Sequence, residues 1–188
     1  MKSKRECKKR LLERALEVEA LKFGNFLLSS GKQSDFYFDG RLLSLDPEGL
    51  ALISNLFFKE IIKKRVHFVG GPTMGADPIV AAITAFSYKT DHLVKGFLVR
   101  GIQKTYGTGK QIEGHFPTND RVILVDDTCT TGKNLLSSIK IMEEKGARVA
   151  KVLVVLDRGE GGSLAIKKEG FDFSSLLTVK NNRVVLAD

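Results

Sequence analysis

Val122-Ile123-Leu124-Val125 runs directly into Asp126-Asp127-Thr128-Cys129-Thr130-Thr131-Gly132-Lys133, and no other stretch restricts the possible folds as much. Four consecutive aliphatic residues read as a strand buried on both faces, as in a parallel sheet covered by helices. From Asn134 to Lys145 the pattern is helical. Strand, loop and helix in that order put the polar residues at a strand's carboxyl end, where open α/β sheets bind ligands. The predicted fold class is therefore α/β, a mainly parallel central sheet flanked by helices. Loop N–H groups, the helix N-terminus and the hydroxyls of Thr128, Thr130 and Thr131 suit a phosphate. Asp126 and Asp127 suit a neutral partner, such as the 2′ and 3′ hydroxyls of a ribose, because a carboxylate beside a phosphate is repelled. A Walker A loop is rejected, since Asp127 stands where its first glycine belongs and Asn134 where its Ser or Thr belongs. A capped strand-to-helix turn needs one Asp or Thr, and this loop carries five.

The rest of the chain bounds that reading. Its 188 residues fit one domain, 1–188, at the usual size of about 100–200 residues. Hydrophobic content of 43% and charged content of 28% are ordinary globular values, which argues against a disordered or membrane protein. No apolar run is long enough for a span, and no apolar signal core follows the basic N-terminus, so a cytoplasmic protein with no membrane partner is expected. Cys7 and Cys129 lie far apart and outside any Cys-x-x-Cys spacing, against a disulfide framework or a zinc site. Cys129 reads as a small half-buried residue of the phosphate loop. The net charge of +8 fits anionic small substrates or nucleic acid. Met1 to Arg14 carries seven Lys or Arg against two Glu without interleaved aromatics, so a solvated helix face is the default and nucleic acid is unlikely.

Taken in order, Lys4 to Leu21 is an amphipathic helix. Ala20 to Asp39 reads as a β-hairpin turning at Ser29-Ser30-Gly31, with Phe36 and Tyr37 available to a flat ring and Lys22 to an anion. Asp46-Pro47-Glu48 starts a helix, with Asp as N-cap and Pro at the first position. Val66 to Val69 is a strand entering the glycine-rich loop Gly70 to Pro78, a second candidate anion site. Gly96 to Arg100 is a further strand. The polar stretch 101–115 reads as a mobile lid that brings Lys104, and with it Lys110, to developing negative charge. Ala150 to Leu156 is another buried strand, ending at Asp157-Arg158. Arg158 is placed either to fork onto a carboxylate or to pair with Asp157. A short helix at Gly162 to Lys168 and a strand at Leu176 to Val179 complete the pattern.

The Asp126 to Gly132 segment resembles the PRPP-binding signature of type I phosphoribosyltransferases. The chain as a whole is similar to orotate phosphoribosyltransferases: Leu21 to Gly24, Ser34 to Phe38, Gly75 to Pro78, Val99-Arg100, Gly107 to Lys110, Ile112 to Gly114 and Asp157-Arg158 fall in that family's order. The resemblance implies a type I phosphoribosyltransferase fold with an N-terminal hood, mainly 1–45, and the lid at 101–115. It implies transfer of a phosphoribosyl group from PRPP to orotate with Mg²⁺ carried by PRPP and no direct metal ligand. Thr128, Cys129, Thr130, Thr131 and Gly132 would then hold the 5′-phosphate, with Lys133 adding a contact, and Asp126 and Asp127 the ribose hydroxyls. Lys22, Phe36, Tyr37, Thr130 and Arg158 would line the orotate site, and Arg100 and Lys104 would meet the pyrophosphate, across a homodimer interface. The lid departs from the family pattern, with Gly101, Ile102 and Tyr106 where lysine, glutamate and histidine are usual. Fewer cations at the leaving group leave a second reading of another class open, a non-catalytic or regulatory PRPP-binding protein whose basic N-terminus touches RNA.

Overall fold

Alternate residues of a strand face opposite sides, so an aliphatic run is stable only where both sides are covered. Residues 3–27, 31, 33–101 and 110–188 are described by a computed structural model, in which that condition is met. The run lies in β6 (Arg121–Cys129), at the centre of a seven-stranded sheet ordered β5-β4-β3-β6-β7-β8-β9. Its neighbours are β3 (Phe68–Pro72) and β7 (Arg148–Asp157), with β4 (Lys95–Val99) and β8 (Phe173–Lys180) beyond, all parallel. The edge strands β5 (Ile112–Gly114) and β9 (Arg183–Leu186) run antiparallel.

On one face Ile123, Val125, Leu153 and Val155 pack under α1 (Lys4–Glu17), α3 (Pro47–Lys64) and α4 (Asp77–Ser87). On the other, Val122, Leu124, Val152 and Val154 pack under α5 (Lys133–Glu144) and α6 (Gly162–Lys168). At about 1.5–3 kcal/mol per buried aliphatic side chain, this two-sided core is the main stabilising term. A separate hairpin, β1 (Leu21–Leu27) with β2 (Gln33–Phe38), and the short α2 (Gly40–Ser44) form the N-terminal part.

Several expectations need correction. The first helix stops at Glu17, where Glu19 takes a positive φ of 57°. β6 continues through Asp126, Asp127 and Thr128 to Cys129, and β3 through Gly70 to Pro72, so the polar ends lie on strands before any loop begins. Part of the expected lid, Ile112 to Gly114, is the edge strand β5, held by pairing with Phe97 to Val99. The basic first helix is more than a solvated face. Arg14 pairs with Asp46 at 2.6 Å, Arg10 with Glu48 at 2.6 Å, and buried Lys8 donates to the Ala187 carbonyl at 2.6 Å. Among the described residues no helix is long and apolar enough to cross a membrane.

Candidate active site

The chain passes from β3 outward to β4 and then returns to build β6, β7 and β8 on the other side of β3. The carboxyl ends of β3 and β6 therefore adjoin at the point where strand order reverses, the place such sheets bind ligands. Two adjoining cavities open there. One, of about 220 Å³, is lined by Asp126, Thr128 to Asn134 and Leu135. The other, of about 320 Å³, shares Asp126, Thr128 and Asn134 with it and adds Tyr37, Asp39, Arg41, Pro72 to Gly75 and Asp127.

The first cavity is lined by the turn that leads from β6 into α5. Gly132 caps α5 with φ 78°, and among the described residues that helix has no side-chain cap bond. The Thr130 carbonyl is taken by the Gly162 N–H at 3.0 Å and the Cys129 carbonyl by the Arg158 N–H at 2.9 Å, which pins the turn on both sides. Lys133 is exposed at the head of α5. Cys129 is fully buried, not half-buried, and burial first, with Asp157 and Asp126 adding, pushes its thiol up to about 12. It is no nucleophile at neutral pH.

Asp126 is 7% exposed, and one of its oxygens accepts the Asp127 N–H at 2.9 Å. Burial, then the adjacent Asp127 charge, raises the Asp126 carboxyl well above the ordinary range, and burial also raises Asp127. Two glycines make room for this pair. A Cβ on Gly75 would lie 2.5 Å from Asp127 Oδ1 and 2.6 Å from Asp126 Oδ1, and one on Gly40 would lie 2.6 Å from Asp127 Oδ2. Asp77 sits nearby with one oxygen buried and without a hydrogen-bond partner among the described residues. Burial raises its carboxyl, opposed by the Arg100 charge.

The remaining expected residues are not brought together in one place. Residue Lys22 lies opposite Tyr37 across the hairpin, so both share its outer face, whereas Phe36 lies on the inner face, 5% exposed. The Arg158 guanidinium covers Phe36 at 4.8 Å from the ring centroid. Arg158 bonds Glu160 at 2.7 Å, not Asp157, in a third cavity of about 280 Å³. Lys22 pairs with Glu19 at 2.7 Å, and Arg100 with Glu113 at 3.1 Å. Strand alternation explains the separation of Phe36 and Tyr37, which adjacency in sequence concealed. Lys104, Ile102, Tyr106 and Gly107 to Gly109 lie outside the described residues. Sequence reading missed Gly40, Asp39 and Arg41. Their one signal was Asp39-Gly40 at the end of an aromatic strand.

Known proteins share this fold. Residues 49–186 match the family described as phosphoribosyl transferase domain. The chain is 42% identical to an orotate phosphoribosyltransferase of Pyrococcus furiosus over 174 residues, 92% of this chain and 93% of that protein. It is 38% identical to one of Methanosphaera stadtmanae, over 93% of this chain and 95% of the other. It resembles the crystal structure of Mycobacterium tuberculosis orotate phosphoribosyltransferase in complex with Fe(III) dicitrate, with a TM-score of 0.80, 33% identity, and coverage of 92% of this chain and 97% of that one. The same enzyme in complex with 5-phospho-α-D-ribosyl 1-diphosphate (PRPP) matches at a TM-score of 0.72 and 28% identity, covering 93% of this chain and 90% of that one.

Proposed function

The chain belongs to the orotate phosphoribosyltransferase family, and from that premise we infer that it transfers the 5-phosphoribosyl group of PRPP to orotate, giving orotidine 5′-monophosphate and pyrophosphate in pyrimidine biosynthesis. The observation that carries this reading is the continuity of the two cavities at the β3–β6 switch point. One is lined by the threonine-rich turn at the head of α5, the other by adjacent carboxylates and the Thr73 to Gly75 turn. A molecule with a phosphate at one end, ribose hydroxyls in the middle and a diphosphate at the other matches that sequence of groups.

In this assignment Thr128 to Gly132, with Lys133 at the rim, hold the 5′-phosphate at the head of α5. Asp126 and Asp127 accept from the ribose hydroxyls. Tyr37 lines the second cavity and Lys22 shares its face of the hairpin, so the base side is carried here by Phe36 and Arg158. Arg158, exchanging Glu160 for the substrate, forks onto the orotate carboxylate while Phe36 holds its plane. Arg100 and Lys104 belong to the leaving-group end. The C1–oxygen bond to the diphosphate breaks with its electron pair leaving on pyrophosphate, and the orotate ring nitrogen, having lost its proton, bonds to C1. Positive charge grows on the ribose next to two carboxylates fixed before the reaction begins, which lowers the barrier.

Among the described residues no group of three or more His, Cys, Asp or Glu could hold a metal ion. Mg²⁺ would instead be carried by PRPP oxygens, which leaves Asp126 and Asp127 to the ribose hydroxyls. When bound, that ion would draw charge from the leaving diphosphate. A homodimer in which each 101–111 stretch serves the other copy's site, and a cytoplasmic location, complete the proposal.

Loss of orotate absorbance in the presence of PRPP and Mg²⁺ tests the activity, with consumption expected. Absence of turnover alongside calorimetric PRPP binding would instead support the non-catalytic reading. Arg158→Ala should weaken orotate by about 10–100-fold, the worth of a charge-assisted forked contact, with PRPP affinity kept. Equal loss for both ligands would remove Arg158 from the base site.

A further inference from the structure

The second cavity is electrostatically unbalanced. Asp39, Asp126 and Asp127 bring three carboxylates to it, and among the described residues that line it Arg41 alone is cationic. The Pro72 to Gly75 turn lines the same space. On the reading above, this is where the PRPP diphosphate lies, and an anion of that charge beside three carboxylates requires a protein cation in addition to the metal ion it brings. Arg100 of the same chain does not line this cavity and its guanidinium is held by Glu113, so its leaving-group role above falls to the other copy of a homodimer.

Arg41 is placed for that task. It is the second residue of α2, whose first, Gly40, lies so close to Asp127 that no Cβ fits between them. The guanidinium is therefore attached to an element fixed against the ribose carboxylates. It is half exposed, 53%, and tethered to Asp39 through Nε at 3.1 Å and Nη2 at 3.2 Å. Such a surface pair is weak and easily exchanged. Asp39 also accepts the Arg41 backbone N–H at 3.0 Å, so the turn stays capped when the guanidinium leaves.

We propose that Arg41 binds the diphosphate of PRPP, and the pyrophosphate it becomes, through a forked guanidinium–phosphate contact. This assignment rests on the second cavity being the PRPP site. It makes the N-terminal region a contributor to leaving-group binding and not only to the base.

Calorimetric titrations of the full chain with Mg²⁺ and PRPP, pyrophosphate or ribose 5-phosphate test it. Arg41→Ala should bind PRPP and pyrophosphate about tenfold to a hundredfold more weakly, with ribose 5-phosphate within twofold and Arg41→Lys in between. Unchanged pyrophosphate and PRPP affinity in Arg41→Ala would overturn the proposal. So would an equal loss for ribose 5-phosphate, which would mark a structural role. A parent chain that binds none of the three would overturn the site reading itself, an outcome distinct from failure of Arg41.

Discussion

At the scale of single residues the informative quantity is the ionisation of Asp126. Burial first, and then the Asp127 charge, raise its carboxyl well above the ordinary range. A folded-state pKa above the unfolded one means that the folded chain holds a proton the unfolded chain has released. Stability therefore falls as pH rises from the ordinary carboxylate range through the folded value, and stays reduced above it. Asp126→Asn removes the charge but keeps an acceptor for the Asp127 N–H, now 2.9 Å away. The variant should lose the decline, melt at or above the parent temperature at neutral pH, and bind PRPP poorly. Melting curves across acid to neutral pH check this, and a variant less stable than the parent at neutral pH would show that the charge is compensated. The destabilised carboxylate is consistent with a site that meets its partner only when ribose hydroxyls arrive, a local cost carried for function. Nothing in the residue types alone signalled this, since Asp126 and Asp127 are adjacent but burial separates their surroundings.

At the scale of elements, Glu60 ties three of them together. It lies on α3, bonds Lys151 of β7 at 3.0 Å and Lys4 of α1 at 2.9 Å. Burial opposes its charge, yet the hydrogen bonds from Lys4 and Lys151 outweigh it and hold the carboxyl at about 2. Because the folded pKa is depressed, the stability it contributes is present above the ordinary carboxylate range and lost as pH falls towards about 2. Glu60→Gln leaves Lys151, only 7% exposed, charged without its main counter-ion. A loss of about 2–4 kcal/mol by denaturant unfolding at pH 7 is expected, with the difference shrinking under acid conditions. A change under ~0.5 kcal/mol would mean Asp172, 3.7 Å from Lys151, suffices alone. The central strands and their helices were legible because two-sided burial writes aliphatic runs. β5 and β9 were not, being three and four residues long at sheet edges where no such run is required. The carboxyl ends of β3 and β6 were misread as loops because Gly and Asp are poor strand formers, and sheet pairing overrode that preference.

At the scale of the whole molecule, the site is assembled from segments that are distant in sequence: the β2–α2 junction, the turn after β3 and the β6–α5 turn all line it. The Asp126 to Gly132 segment could be recognised alone because one continuous turn builds the first cavity. The base side could not, because which residues of the hairpin and of β7 meet is fixed by strand face and by packing between layers. A ligand that bridges the hairpin region and the sheet stabilises both at once, binding the folded chain and not the unfolded one. At PRPP about a hundredfold above its dissociation constant, with Mg²⁺, the gain is about 2.7 kcal/mol. For a domain of this size that corresponds to a rise in melting temperature of about 5–10 °C. Ribose 5-phosphate at the same multiple of its own dissociation constant should give a similar rise, so the ligands must be compared at equal concentration. There, PRPP should give the larger shift, because only it reaches the Thr73 to Gly75 turn and the α2 region. If both shift the melt equally at equal concentration, binding is confined to the β6–α5 cradle, and the diphosphate end has been placed in the wrong cavity.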